Sequence, residues 1–183
     1  MKSVLVVVDM QKDFVTGALG SADAQAIVSA VAQRIDRAHE AEECVYFTLD
    51  THCCNYLDTS EGKALPVPHC IAGTEGHALA EGIAERAGAA DLKLEKPTFG
   101  SEKLADVLYD VAMRGGYPNG KGLRVELCGV CTDICVITNA LIIKTRLPDA
   151  DLCVHAHLCA GTTPENHAAA LTVMRCCQVH VLD

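Results

Sequence analysis

The chain has 183 residues, half of them hydrophobic, which suits one domain spanning residues 1–183 with a substantial core and gives no sign of a second. A formal net charge of −9 provides no basic stripe, so nucleic acid and anionic lipid are disfavoured as partners and a small molecule is expected. The apolar runs are far shorter than the roughly 18 residues of a membrane span, and Met1-Lys2-Ser3 opens no secretory pattern, so a cytoplasmic location is expected.

In chain order, Val4–Val8 is the first short apolar, β-rich run, and Asp9 ends it, followed by Met10-Gln11-Lys12-Asp13-Phe14. Ile27, Val31, Ile35 and Ala38 recur at helical spacing. A second strand, Cys44–Thr48, leads to Asp50-Thr51-His52, and a polar loop then reaches Pro66-Val67-Pro68-His69-Cys70. A weaker strand at Asp91–Leu94 precedes Lys96-Pro97, and Leu104, Val107, Leu108 and Val111 mark another amphipathic helix. The run from Gly115 to Gly122 reads as an exposed turn and lacks the Gly-Lys-Ser/Thr ending of a phosphate loop. Val125–Gly129 is the next strand, and Leu127 to Val136 passes from it through a tight turn into a helix. Leu152–His157 and Val179–Leu182 close the strand set, with a last helix announced by Thr162-Thr163-Pro164-Glu165 and continued through Ala168, Leu171 and Met174. Alternating strands and helices with nearly continuous apolar strands predict a three-layer αβα fold around a mostly parallel sheet of about six strands.

The chemistry-bearing residues collect where such sheets bind ligands, at the carboxyl ends of strands. Asp9 is at such an end, although an aspartate there can simply cap a turn, and Asp13 is the stronger candidate for that local role. Asp50, His52 and His69 offer a carboxylate and two imidazoles, a set that suits an open site for one divalent ion, zinc or else manganese or iron. Glu61 or Asp58 could complete it, and Glu61 is taken as the fourth ligand. Cys135 falls in the first turn of its helix, where free N–H groups and the positive dipole end would stabilise a thiolate and could hold an oxyanion. Lys96 follows the third strand, whereas Lys93 is expected in solvent.

The 11 cysteines, an odd number dispersed through strands and helices, read as reduced thiols and mostly as small buried hydrophobes. Cys128-Gly129-Val130-Cys131 is also a C-x-x-C pair, so a redox protein is an alternative of a different class.

Taken together, Val8 to Phe14, the Asp50/His52 pair, Pro68-His69-Cys70-Ile71-Ala72-Gly73-Thr74-Glu75-Gly76, Lys96 and Gly129 to Val136 resemble the isochorismatase-like cysteine hydrolases over nearly the whole chain. The Pro-His-Cys segment with Asp-x-His resembles the nicotinamidase/pyrazinamidase branch. That resemblance implies Asp9 as general base, Cys135 as nucleophile and Lys96 as the residue orienting them, with hydrolysis of a small amide through an acyl-thioester. It also implies an oxyanion hole from the N–H groups of Cys131 and Cys135 after a cis Val130–Cys131 bond, Phe14 packing on the substrate ring, a metal beside that ring, and a homo-oligomer. The chain departs from the branch in having Leu65-Pro66-Val67-Pro68 where a tryptophan often stands, and it contains no tryptophan. Nicotinamide is therefore the first expected substrate, and another small amide or carbamoyl compound the second.

Overall fold

Five successive apolar residues, Val4 to Val8, are each at most 1% exposed, which requires cover on both faces and places their strand in the middle of a sheet. The computed structural model describes residues 2–183. Its elements run β1 (Lys2–Val8), α1 (Lys12–Val15), α2 (Ala22–Glu40), β2 (Cys44–Asp50), α3 (Ser60–Ala64), α4 (Glu81–Ala84), β3 (Leu92–Lys96), α5 (Glu102–Arg114), β4 (Leu123–Val130), α6 (Ile137–Arg146), β5 (Asp151–Ala160), α7 (Pro164–Cys176) and β6 (His180–Leu182). The six strands form one sheet in the order β3-β2-β1-β4-β5-β6, with every pairing parallel. Helices α2 and α4 pack together on one side, and α5, α6 and α7 form the other layer.

The helix boundaries follow from local chemistry. Ser21 and Ser101 accept hydrogen bonds from the Ala24 and Leu104 N–H groups, capping α2 and α5, and Thr163 caps α7 through Asn166 with Pro164 in the first turn. The stripe Ile27, Val31, Ile35 and Ala38 is buried as its spacing requires. In α7 the buried residues are Ala170, Leu171 and Met174, so Ala168 faces solvent, contrary to expectation.

Two strands run further than their apolar stretches. β2 extends to Asp50 and β3 to Lys96, which pair directly with one another, so both are strand residues rather than loop residues. β5 reaches Ala160 through an irregularity: Leu127 pairs with Val154 but Gly129 pairs with Cys159.

From β1 the chain winds outward to β2 and β3, then returns to β4 beside β1 and winds outward the other way. The crevice of such a sheet lies at this reversal, above the carboxyl ends of β1 and β4. Gly129 has φ of 117°, and a Cβ there would collide with the Val8 carbonyl, so the two central strands approach closely where the crevice begins. Asp9 itself has φ of 48°, a left-handed conformation unusual for a residue with a side chain. Among the described residues no helix is long and apolar enough to cross a membrane.

Candidate active site

Asp9, Lys96 and Cys135 come from the ends of β1 and β3 and from the turn after β4, and all three are almost completely buried. The Lys96 Nζ lies 2.7 Å from Asp9 Oδ2, 3.4 Å from Asp50 Oδ1 and 3.7 Å from the Cys135 Sγ. Asp9 Oδ1 accepts a hydrogen bond from the Thr48 hydroxyl at 2.7 Å. Asp9 Oδ2 is paired with the Lys96 ammonium at 2.7 Å, and a carboxylate oxygen so paired keeps a second lone pair able to take a proton. Burial raises the pKa of Asp9 above the ordinary carboxylate range, although the Lys96 ammonium opposes the rise. For Lys96 itself burial works against the charge, but the carboxylates of Asp9 and Asp50 outweigh it, so the amine stays an ammonium.

The segment bearing the thiol differs from expectation in two respects. Residues Thr132–Val136 form a π-helical turn, and the regular α6 begins only at Ile137, so Cys135 precedes the α-helix instead of opening it. Its thiol is also pushed well above the usual cysteine value, by burial first and then by the negative charge of Asp9, against the pull of Lys96. The resting side chain is a neutral thiol beside a base, and not a helix-stabilised thiolate. The Val130–Cys131 peptide is cis, as the sequence resemblance implied.

The second group lies on the other side of Asp50. His52 Nε2 is 2.9 Å from Asp50 Oδ2, and His69 Nε2 is 3.4 Å from the same oxygen. Glu61 Oε1 from α3 stands 3.6 Å from His52 Nε2 and 3.7 Å from His69 Nε2. One donor atom from each of the four residues lies within 4.8 Å of the others, and these mixed nitrogen and oxygen donors suit a single divalent ion. His69 Nδ1 is 2.8 Å from the Val67 carbonyl, which fixes the ring with Nε2 facing the other donors, an outer-shell arrangement typical of metal-binding histidine. Asp50 is held below the ordinary carboxylate range: burial opposes ionisation, but the hydrogen bond to His69 and the charges of Lys96 and the two imidazoles outweigh it.

Both groups open on a cavity of about 450 Å³ lined by Phe14, Leu65, Phe99, Ile134 and Ala160 around Asp50, Glu61 and Cys135. That volume accommodates a small organic molecule.

The isochorismatase domain family model matches residues 3–183. The chain belongs to the isochorismatase family. Solved structures similar to it include the Streptococcus mutans pyrazinamidase/nicotinamidase, at 26% identity and TM-score 0.82 over 99% of this chain and 100% of that one. The Pyrococcus horikoshii pyrazinamidase in complex with zinc is 25% identical, with TM-score 0.79 over 100% and 99%. The Thermoplasma acidophilum N-carbamoylsarcosine amidase is 25% identical, with TM-score 0.80 over 100% and 96%. No curated protein matches the sequence. As a member of this family with a buried carboxylate, ammonium and thiol in contact, the chain is a hydrolase of amide C–N bonds.

On this family member Phe14 lines the cavity and sits edge-on to His69, with ring centroids 5.4 Å apart. Glu61 turns inward, whereas Asp58, the alternative considered for the same role, is exposed, and Lys93 is in solvent. Asp13 caps its neighbourhood by accepting from the Ala18 and Cys70 N–H groups. Of the C-x-x-C pair, Cys128 is fully buried and burial raises the Cys131 thiol to about 12, and both are free thiols.

Two supporting residues had no sequence signal. Thr48 orients Asp9 from the neighbouring strand. Gln11 donates to the Asp50 and His77 carbonyls and accepts from the Asp50 N–H, tying the segment after β1 to the end of β2. Both act through partners at least 39 positions away, which periodicity cannot register. Tyr56, packed edge-on against both His52 and His69, likewise lies in a loop without pattern.

Proposed function

We propose that this amide hydrolase is a nicotinamidase, converting nicotinamide to nicotinate and ammonia. The observation that carries the reading is the placement of Asp50, whose Oδ1 faces Lys96 beside the thiol while its Oδ2 faces the two imidazoles. A heteroaromatic amide can then present its carbonyl carbon to the sulfur and its ring to the histidine cluster at once.

In the proposed sequence the Cys135 sulfur attacks the carboxamide carbon as its proton passes to the Asp9 carboxylate. The oxyanion is held by the N–H groups of Cys131 and Cys135. Asp9 returns the proton to the departing nitrogen, which leaves as ammonia, and an acyl-thioester forms. Water, deprotonated by Asp9, then releases the acid and regenerates the thiol. Lys96 opposes the neutralising effect of burial on Asp9. A divalent ion held by Asp50, His52, Glu61 and His69, zinc being the first choice, would when bound supply a Lewis-acidic anchor for the ring nitrogen.

The test is ammonia release from nicotinamide with zinc supplied, beside pyrazinamide, benzamide and N-carbamoylsarcosine. Nicotinamide and pyrazinamide should exceed benzamide, which lacks the ring nitrogen. Turnover of N-carbamoylsarcosine with none of nicotinamide would overturn the assignment. That second reading, a hydrolase of another small amide or carbamoyl compound, is favoured by Leu65 in the lining where an aromatic stacking partner would otherwise stand.

A further inference from the structure

At the opposite edge of the sheet from the cleft, where β5 and β6 begin, three residues with metal-binding side chains meet on one face. Asp151 and Cys153 are two apart on β5, so they point the same way, and Cys153 is the register partner of His180 on β6. The Cys153 Sγ is 3.5 Å from Asp151 Oδ1, and His180 Nδ1 is 3.1 Å from that same oxygen. The three donor atoms lie within 4.8 Å of one another.

The other Asp151 oxygen is fixed independently. Arg124, register partner of Asp151 on β4, donates to Oδ2 at 2.7 Å and through its Nε to Glu126 at 2.6 Å. The carboxylate is thereby oriented, with Oδ1 left facing sulfur and imidazole, an outer-shell role of the kind that accompanies metal-binding carboxylates. An ion-pair network of Arg124, Asp151 and His180 would need no cysteine, yet a fully buried sulfur completes the triangle. His180 stands on the solvent side, with 71% of its side chain exposed, and gives an ion access from water.

We propose that Asp151, Cys153 and His180 form a second metal site, binding a borderline divalent ion such as zinc through one oxygen, one sulfur and one nitrogen. Water fills the remaining position of a tetrahedral shell. Binding converts the Cys153 thiol to a thiolate and releases its proton to solvent, while His180 coordinates as neutral imidazole. Because the sulfur binds only as thiolate, occupancy should rise with pH. The site is remote from Cys135, and its role is to clip edge strand β6 to β5, which is joined to it at only three register positions.

The test uses the full chain, with zinc stoichiometry measured after equilibrium dialysis and cobalt substitution read as sulfur-to-metal charge-transfer absorption. The parent should bind two equivalents. His180→Ala and Cys153→Ser should each lose one, with amide hydrolysis unchanged. The charge-transfer band should persist in His69→Ala, whose affected cluster contains no sulfur, and vanish in Cys153→Ser. His180 is exposed, so its replacement should fold normally. A parent whose cobalt form shows no sulfur-to-metal band, or a His180→Ala protein that keeps every equivalent the parent binds, would overturn the proposal and leave an ion-pair network only.

Discussion

Replacing Lys96 with methionine tests the charge balance on which the cleft depends. The ammonium sits 2.7 Å from Asp9 and 3.4 Å from Asp50, both buried. With an effective dielectric near 20, those separations correspond to roughly 6 and 5 kcal/mol of attraction before the cost of desolvation. Methionine fills similar space but leaves two buried carboxylates facing each other, so Asp9 takes up a proton and ceases to act as a base. Loss of a positioned base lowers turnover roughly 100- to 10,000-fold. Removing one partner of a buried ion pair costs about 3–5 kcal/mol, which lowers the melting temperature of a chain this size by roughly 6–20 °C. The assay is kcat/KM for nicotinamide from ammonia release, with a calorimetric melt of the same sample. A variant within tenfold of the parent in kcat/KM would refute the role assigned to Lys96, whatever its melt.

Four further outcomes are expected. Cys135→Ala should abolish turnover of every amide while the melting temperature moves by less than about 5 °C, and residual hydrolysis above background would exclude Cys135 as nucleophile. The acid limb of kcat/KM should lie above the ordinary aspartate value of about 3.9, because burial raises Asp9 and activity is lost as pH falls through that raised value; a limb at or below 3.9 would contradict it. Zinc at a hundredfold excess over its dissociation constant should stabilise the fold by about 2.7 kcal/mol per site, and His69→Ala should remove the share due to the catalytic cluster, read as a smaller zinc-induced rise in the melt. Glu126 is held far below the ordinary range by its hydrogen bond to His155 and, against burial, by Arg124 and Arg34. With the folded value depressed, its stabilisation is complete above the unfolded value near 4.3 and fades as pH drops. Glu126→Gln should therefore cost about 2 kcal/mol at pH 7 in urea unfolding and progressively less toward pH 3; a gap independent of pH would refute the linkage.

The strand pattern was readable because both faces of this sheet are covered, which turns buried strands such as Val4–Val8 into unbroken apolar runs. The sequence also located Asp9 and the Asp50/His52 pair after strands, since the change from apolar to polar residues marks the carboxyl edge, whereas His69 was reached only through a polar loop. It stopped β2 and β3 short because Asp50, Glu95 and Lys96 are charged, although ladder pairing carries both strands through them. The choice between Asp58 and Glu61 was not legible either. Glu61 faces the histidines because the short 3-10 turn at Tyr56–Asp58 and the Thr59 cap start α3 with that residue turned inward. The protonation of Cys135 was beyond sequence altogether, since it follows from how completely the thiol is enclosed and from which charge stands nearest.

Asp50 sets a limit on how this enzyme can diverge. Because its two oxygens serve different neighbours, 3.4 Å from Lys96 on one side and 2.9 Å from His52 on the other, position 50 belongs to two subsystems at once. Asparagine there would remove negative charge from both in a single step, and glutamate would move both oxygens outward by one methylene. A lineage that gives up the histidine cluster for a new substrate must therefore rebalance the lysine too, so anchoring and bond cleavage are inherited together.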